Sequence, residues 1–146
     1  MVVLKTDFSP DFNTFISNHR TARYAAGGVS EHGFDCWGLV EIWFKYWFDV
    51  TLIERVPGQS KPADMLRQYH RFRESCFRLD KPENHCLIIM YDEESRVPRE
   101  GHCGIYFNST VLHMERGLGL CSNSFQAPSI QRRLAGIYRH PVAMER

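Results

Sequence analysis

A chain of 146 residues and 17.1 kDa is long enough to bury a core without disulfide staples, and its length is that of one domain spanning 1–146. Lys+Arg 18 against Asp+Glu 17 leaves a formal charge of +1, which removes the electrostatic case for nucleic acid or an anionic membrane surface as a partner. The 5 cysteines are an odd number and too sparse for a disulfide scaffold, so reduced thiols and folding in a cytoplasmic compartment are expected.

The first residues hold only a short apolar run before Lys5, too short for a secretory signal, and no stretch approaches a membrane span. Residues 12–26 carry Phe15, Ile16, Ala22 and Tyr24 among polar side chains, a pattern that predicts a short helix ending before a Gly27-Gly28 turn. Asp35 is a good N-cap, and from Cys36 to Phe48 apolar residues cover nearly the whole circumference, with Glu41 and Lys45 as the charged stripe. This helix should be central and buried. Pro57-Gly58 and Ser60-Lys61-Pro62 mark a loop, after which Met65, Leu66, Tyr69 and Phe72 predict an amphipathic surface helix.

The second half changes character. Residues 86–91 form a short β-type run, and residues 102–107 and 110–114 predict a hairpin across Asn108-Ser109. Residues 118–125 and 134–140 are further strand candidates, the last closed by Pro141. Helices first and strands afterwards indicate an α+β fold, with the buried helix packed on an antiparallel β-sheet and its N-terminus over the histidine-bearing strands.

Cys36 falls in the first turn of that helix, where unpaired N–H groups and the positive dipole end stabilise a thiolate. A cysteine on a helix is ordinarily packing, and a strand histidine ordinarily structural. The combination argues for chemistry: a capped helix start, glycines at 33 and 38 around the thiol, and His102 and His113 at separate strand positions to serve as base and orienter. A zinc centre drawn from His85, Cys86, His102, Cys103, His113 and Cys121 is disfavoured. Adjacent strand residues such as His102 and Cys103 point to opposite faces, and no Cys-x-x-Cys pair is present. No metal is expected.

The segments Tyr24-Ala25-Ala26-Gly27-Gly28, Gly33-Phe34-Asp35-Cys36-Trp37-Gly38-Leu39-Val40, Gly101-His102-Cys103-Gly104-Ile105-Tyr106, Leu112-His113 and Leu134-Ala135-Gly136-Ile137-Tyr138-Arg139 occur in an order that resembles the NlpC-type cell-wall peptidases. These are papain-like cysteine hydrolases, and the branch most similar is that of bacteriophage tail-assembly proteins. The resemblance implies a papain-like α+β fold, Cys36 as nucleophile, His102 as base, His113 as orienter, and Tyr24, Asp35 and Trp37 near the substrate. It implies no cofactor. The substrate would be peptidoglycan peptides and the partners other phage tail proteins, with synthesis in the bacterial host cytoplasm and action in the virion tail or in the periplasm on entry. Trp37 stands where the cell-wall enzymes usually have a serine that helps recognise a peptide amino end, so specificity is expected to differ. With no appended wall-binding module expected, either the phage assembly would supply placement on the wall or the domain would act on a different amide substrate. A catalytically silent tail protein that keeps the peptidase fold is the alternative.

Overall fold

The computed structural model describes residues 10–25, 29–30, 33–52, 70–92 and 100–145. Asp11 opens helix α1 (Phe12–His19), its carboxylate accepting from the Thr14 N–H at 3.2 Å. The helix is shorter than the predicted 12–26, because the chain leaves it at Arg20 to enter strand β1 (Arg23–Tyr24). β1 runs parallel to β3 (Gly33–Phe34), which also pairs antiparallel with β2 (Val29–Ser30). This small sheet is absent from the sequence reading. It aligns Tyr24 with Phe34, one residue before the cap of the next helix.

Helix α2 (Cys36–Phe48) has the expected bounds and burial, and ends on Asp49 in the left-handed region. Lys45 pairs with Asp49 at 2.8 Å, while Glu41 is buried, so the two do not form the exposed charged stripe that their spacing suggests. The predicted Gly27-Gly28 turn, the 57–62 loop and Met65, Leu66 and Tyr69 lie outside the described residues. Phe72, on helical residues 70–74, is buried against Trp37 and Phe44.

The main sheet contains β4 (Phe77–Leu79), β5 (Leu87–Tyr91), β6 (Glu100–Phe107), β7 (Thr110–Glu115), β8 (Gly119–Ser124) and β9 (Leu134–Arg139), in the order β4-β9-β5-β6-β7-β8. Every pairing in it is antiparallel. The β6–β7 turn places both Asn108 and Ser109 at positive φ, 47° and 67°, the geometry that matches strand twist in a two-residue hairpin. β4, a helical turn over Pro128–Gln131 and a 3-10 helix over Pro141–Glu145 are additions to the predicted elements.

The near-continuous apolar run of β5 is explained by burial on both faces. Leu87 and Ile89 join Cys103, Ile105, Leu112 and Met114 beneath α2, which contributes Leu39, Val40, Trp43 and Phe44. Ile88 and Met90 point the other way, into a second cluster with Cys86, Val111, Phe125, Ile130 and Ile137. The sheet is thus held from both sides, which fixes the register of the strands that carry the histidines. Among the described residues, no helix is long and apolar enough to cross a membrane.

Candidate active site

Asp35 sets the thiol side. Its Oδ1 accepts the Gly38 N–H at 2.6 Å, and its carbonyl accepts the Leu39 N–H at 2.9 Å, so α2 begins sharply at Cys36. Cys36 is partly buried, and its side chain makes hydrogen-bonding contact with both Cys103 and His102. The Cys103 thiol also lies 3.4 Å from the Cys36 carbonyl oxygen. Neighbours on β6 therefore both reach one residue at the start of α2.

The imidazole side is built from strands. Gly104 pairs with His113 across β6 and β7, and a Cβ at Gly104 would stand 2.7 Å from the Leu112 carbonyl oxygen and 3.1 Å from the His113 Cβ. The glycine lets the two strands close with His113 beside His102. His102 Nε2 is 3.0 Å from His113 Nδ1, and His113 Nε2 is 2.7 Å from Asn123 Oδ1 on β8. Because the Asn123 oxygen only accepts, His113 carries its proton on Nε2 and presents the Nδ1 lone pair to His102 Nε2–H. That leaves His102 Nδ1 for the thiol.

A carboxylate completes the cluster. Glu115 Oε1 lies 3.3 Å from both His102 Nε2 and His113 Nδ1, and takes a 2.7 Å hydrogen bond from Arg133 Nη1. Arg133 is anchored in turn: its Nε donates to the Tyr91 carbonyl oxygen at 3.1 Å, and its own carbonyl accepts the Tyr91 N–H at 2.7 Å.

The charges follow this geometry. The Cys36 thiol is held well below the ordinary thiol range, first by the Cys103 hydrogen bond and then by His102, against the opposing effect of burial. Burial works to lower His102, but the Cys36 thiolate and Glu115 together outweigh it and raise the imidazole to about 9. Glu115 is depressed far below the usual carboxylate range, first by His102 and also by Arg133, against the opposing effect of burial. Cys103 is pushed well up by the neighbouring Cys36 and by burial, so it serves as the S–H donor of the pair. Between the two titrations the arrangement is a thiolate–imidazolium pair, with a nucleophile and a proton donor in one contact.

Tyr24 is partly buried under the Arg116 guanidinium, 5.4 Å from its ring centroid, close enough to Cys36 and Asp35 to feel both charges. Trp37 is in the core, only 3% exposed and edge-on to Phe72, so its indole is packing rather than cleft wall. Adjacent helix positions diverge by about 100°, which carries residue 37 inward while residue 36 stays at the rim.

Sequence reading missed Cys103, Glu115, Asn123 and Arg133 as parts of this cluster. Alternation carries a signal for two of them: Glu115 shares a strand face with His113, and Asn123 shares one with Cys121, the register partner of His113. The donors of His102, His113 and Glu115 lie within 4.8 Å of one another and are the described residues that could hold a metal ion. A divalent ion there would have to displace Arg133 and break the imidazole–imidazole bond. The other residues weighed for zinc do not join them. His85 sits among Trp43, Trp47 and Phe107, accepting the Trp43 indole N–H at 3.2 Å, and Cys86 is buried in the second core.

The sequence model described as the NlpC/P60 family matches residues 21–139, more than half of the chain. The chain belongs to the NlpC/P60 family. Among solved structures it is similar to an NlpC/P60 family protein from Bacillus cereus ATCC 10987, with TM-score 0.59 and 20% identity over 90% of this chain and 40% of that one. It is also similar to a protein from Staphylococcus aureus subsp. aureus Mu50 described as similar to lipoprotein, NLP/P60 family, with TM-score 0.55 and 19% identity over 87% of this chain and 39% of that one. The chain thus spans about two fifths of the length of either neighbour. No curated protein matches it significantly. These likenesses establish a papain-like α+β fold, and family membership implies cysteine peptidase or amidase chemistry in general.

Proposed function

We propose that this chain is a cysteine peptidase that hydrolyses an amide bond in peptidoglycan stem peptides, with Cys36 as nucleophile, His102 as acid and base, and His113 as the acceptor that orients His102. The observation that carries the reading is the Cys36–His102 contact at the capped start of α2, continued through His113 to Asn123. In the acylation step the Cys36 thiolate forms a bond to the carbonyl carbon, and the C–N bond breaks as His102 Nδ1–H protonates the departing amine. His102, now neutral, takes a proton from water. The resulting hydroxide adds to the thioester, and the carboxylate product leaves as the thiolate is restored. The backbone N–H of Cys36 at the start of α2 would donate to the developing oxyanion.

The resemblance of the motifs around Cys36 and His102 to those of phage tail-assembly proteins supports a phage or prophage setting, with other tail proteins as partners and action in assembly or on entry. Purified protein incubated with muropeptides and read by mass spectrometry tests the reaction. Wild type should release one peptide product, and Cys36→Ala should release none while keeping its fold. Equal turnover by Cys36→Ala would remove the thiol from the mechanism, and an intact substrate with folded wild type would favour a silent tail protein.

A further inference from the structure

Resting on the peptidase reading of this site, we propose that Glu115 is a positioning residue: clamped by Arg133, its carboxylate stands against the Nε2 edge of His102 and holds that ring as imidazolium opposite the Cys36 thiolate. His113 then contributes the lone pair that receives His102 Nε2–H, and Glu115 contributes the charge. The usual third member of such a site is one polar group that orients the base. Here the two tasks fall to two residues on one strand.

The geometry separates the tasks. Asn123 fixes His113 as an acceptor toward His102, so in that state His113 brings no charge. Glu115 is 3.3 Å from His102 Nε2, longer than the 3.0 Å imidazole–imidazole bond, and it acts on His102 both as a second hydrogen-bond acceptor and through its charge. The side chains of His102 and Arg133 are each 9% exposed and that of Glu115 is 23% exposed, so water screens this charge only in part. Arg133 does not release the carboxylate to solvent, since two further hydrogen bonds tie residue 133 to Tyr91.

The titratable groups that face His102 are Cys36 on α2, Cys103 beside it on β6, and His113 and Glu115 on β7; Arg133 acts through Glu115. Asp35 stands on the thiol side and acts on Cys103. Of the two groups that raise His102, Cys36 is the reacting atom, which leaves Glu115 as the fixed charge.

Uniformly 13C,15N-labelled full-length protein gives the decisive readout, the NMR titration of the His102 ring in wild type and in Glu115→Gln. In wild type the ring should titrate near 9, and in Glu115→Gln about one pH unit lower or more. The alkaline limb of kcat/KM should move down by the same amount, because that limb reports loss of the proton needed by the leaving amine. A purely structural ion pair would lower Tm and leave the His102 titration where it was, and that result in folded Glu115→Gln overturns the proposal. If the variant does not fold, wild type still decides: the Glu115 13Cδ shift should show a second inflection where His102 titrates, and a single acidic inflection overturns the proposal. Neither NMR titration needs substrate. A shifted ring without peptide cleavage therefore sustains the role of Glu115 and rejects the peptidase reading.

Discussion

The two halves of the candidate site are made by opposite means. The thiol is placed locally: Asp35, Cys36 and Gly38 lie within one helical turn, and the capped helix start fixes where the thiol stands, while its charge is favoured first by Cys103 and then by His102 on β6. The imidazole side is assembled from β6, β7, β8 and the approach to β9, and its parts are side chains whose positions depend on sheet register. A helix start tolerates substitutions nearby as long as its cap remains. A side-chain network of five residues drawn from four chain segments loses function when any strand slips. Damage should therefore be graded on the imidazole side and nearly all-or-none at the thiol itself.

The largest contrast expected is in thiol reactivity. Burial pushes Cys76 and Cys86 up to about 12, so at pH 6 roughly one molecule in a million carries either as thiolate, whereas Cys36 is held well below the ordinary range. A lower pKa also weakens the nucleophile, by roughly 0.4–0.5 log units per pKa unit. On balance, limited iodoacetamide should label Cys36 on the order of 100-fold faster than any other cysteine, as followed by peptide mass spectrometry. His102→Ala should slow that labelling by removing the adjacent cation, and Cys103→Ala by removing the S–H donor. Uniform slow labelling of all 5 cysteines would show that the thiol side has no special chemistry.

Substitutions at His113 probe the other side. Asn or Gln can still accept a hydrogen bond from His102, whereas Ala cannot, so activity should rank wild type, then His113→Asn or His113→Gln, then His113→Ala. The alanine variant should lose about 100-fold in kcat/KM, within the range that a well-placed acid–base partner provides. Since Glu115 remains in every case, the His102 ring should keep most of its raised titration throughout the series. Equal activity in all four proteins would break the distinction between the two halves.

The same division governs how much is legible in the sequence. The cap, the bounds of α2 and the placement of Cys36 depend on neighbours in the chain, and Asp35 followed by an apolar run announces them. The hairpin that carries the two histidines is legible because Asn108-Ser109 suits a tight turn. Glu115 reads as an ordinary charged strand end, and Arg133 lies outside every predicted element of function. What unites them is a 2.7 Å contact between chain positions 18 residues apart, which no local pattern encodes. Trp37 shows the converse. The motif suggests a role beside the nucleophile, yet the 100° step of the helix carries the indole into the core, where Phe72 meets it.

Gly104 tests register directly. A methyl group there would stand 2.7 Å from a backbone oxygen that cannot move without shifting β7. Gly104→Ala should cost about 1–3 kcal/mol of stability through overpacking, seen as a lower denaturation midpoint. Activity should fall further than stability alone explains, because His113 is the residue opposite. Full activity in the destabilised variant would indicate that the histidine pair tolerates a change in strand spacing.

The smallest effect is expected at Asn123, which touches the nucleophile only through two imidazoles. Its Oδ1 holds the His113 proton on Nε2, and without that acceptor the ring is free to carry the proton on Nδ1, facing His102 Nε2–H donor to donor. Asn123 is partly exposed, so water can replace it in part, and the loss should be that of one hydrogen bond, about 1 kcal/mol or roughly fivefold in kcat/KM for Asn123→Ala. Asn123→Asp keeps an acceptor at the same place and should stay close to wild type at neutral pH. The 15N shifts of the His113 ring provide the independent check: Nε2–H in wild type and Asn123→Asp, and a mixture of tautomers in Asn123→Ala. An unchanged Nε2–H tautomer in Asn123→Ala would mean that the orientation of His113 is set by the strand and its packing, and that the imidazole side is as local in origin as the thiol side.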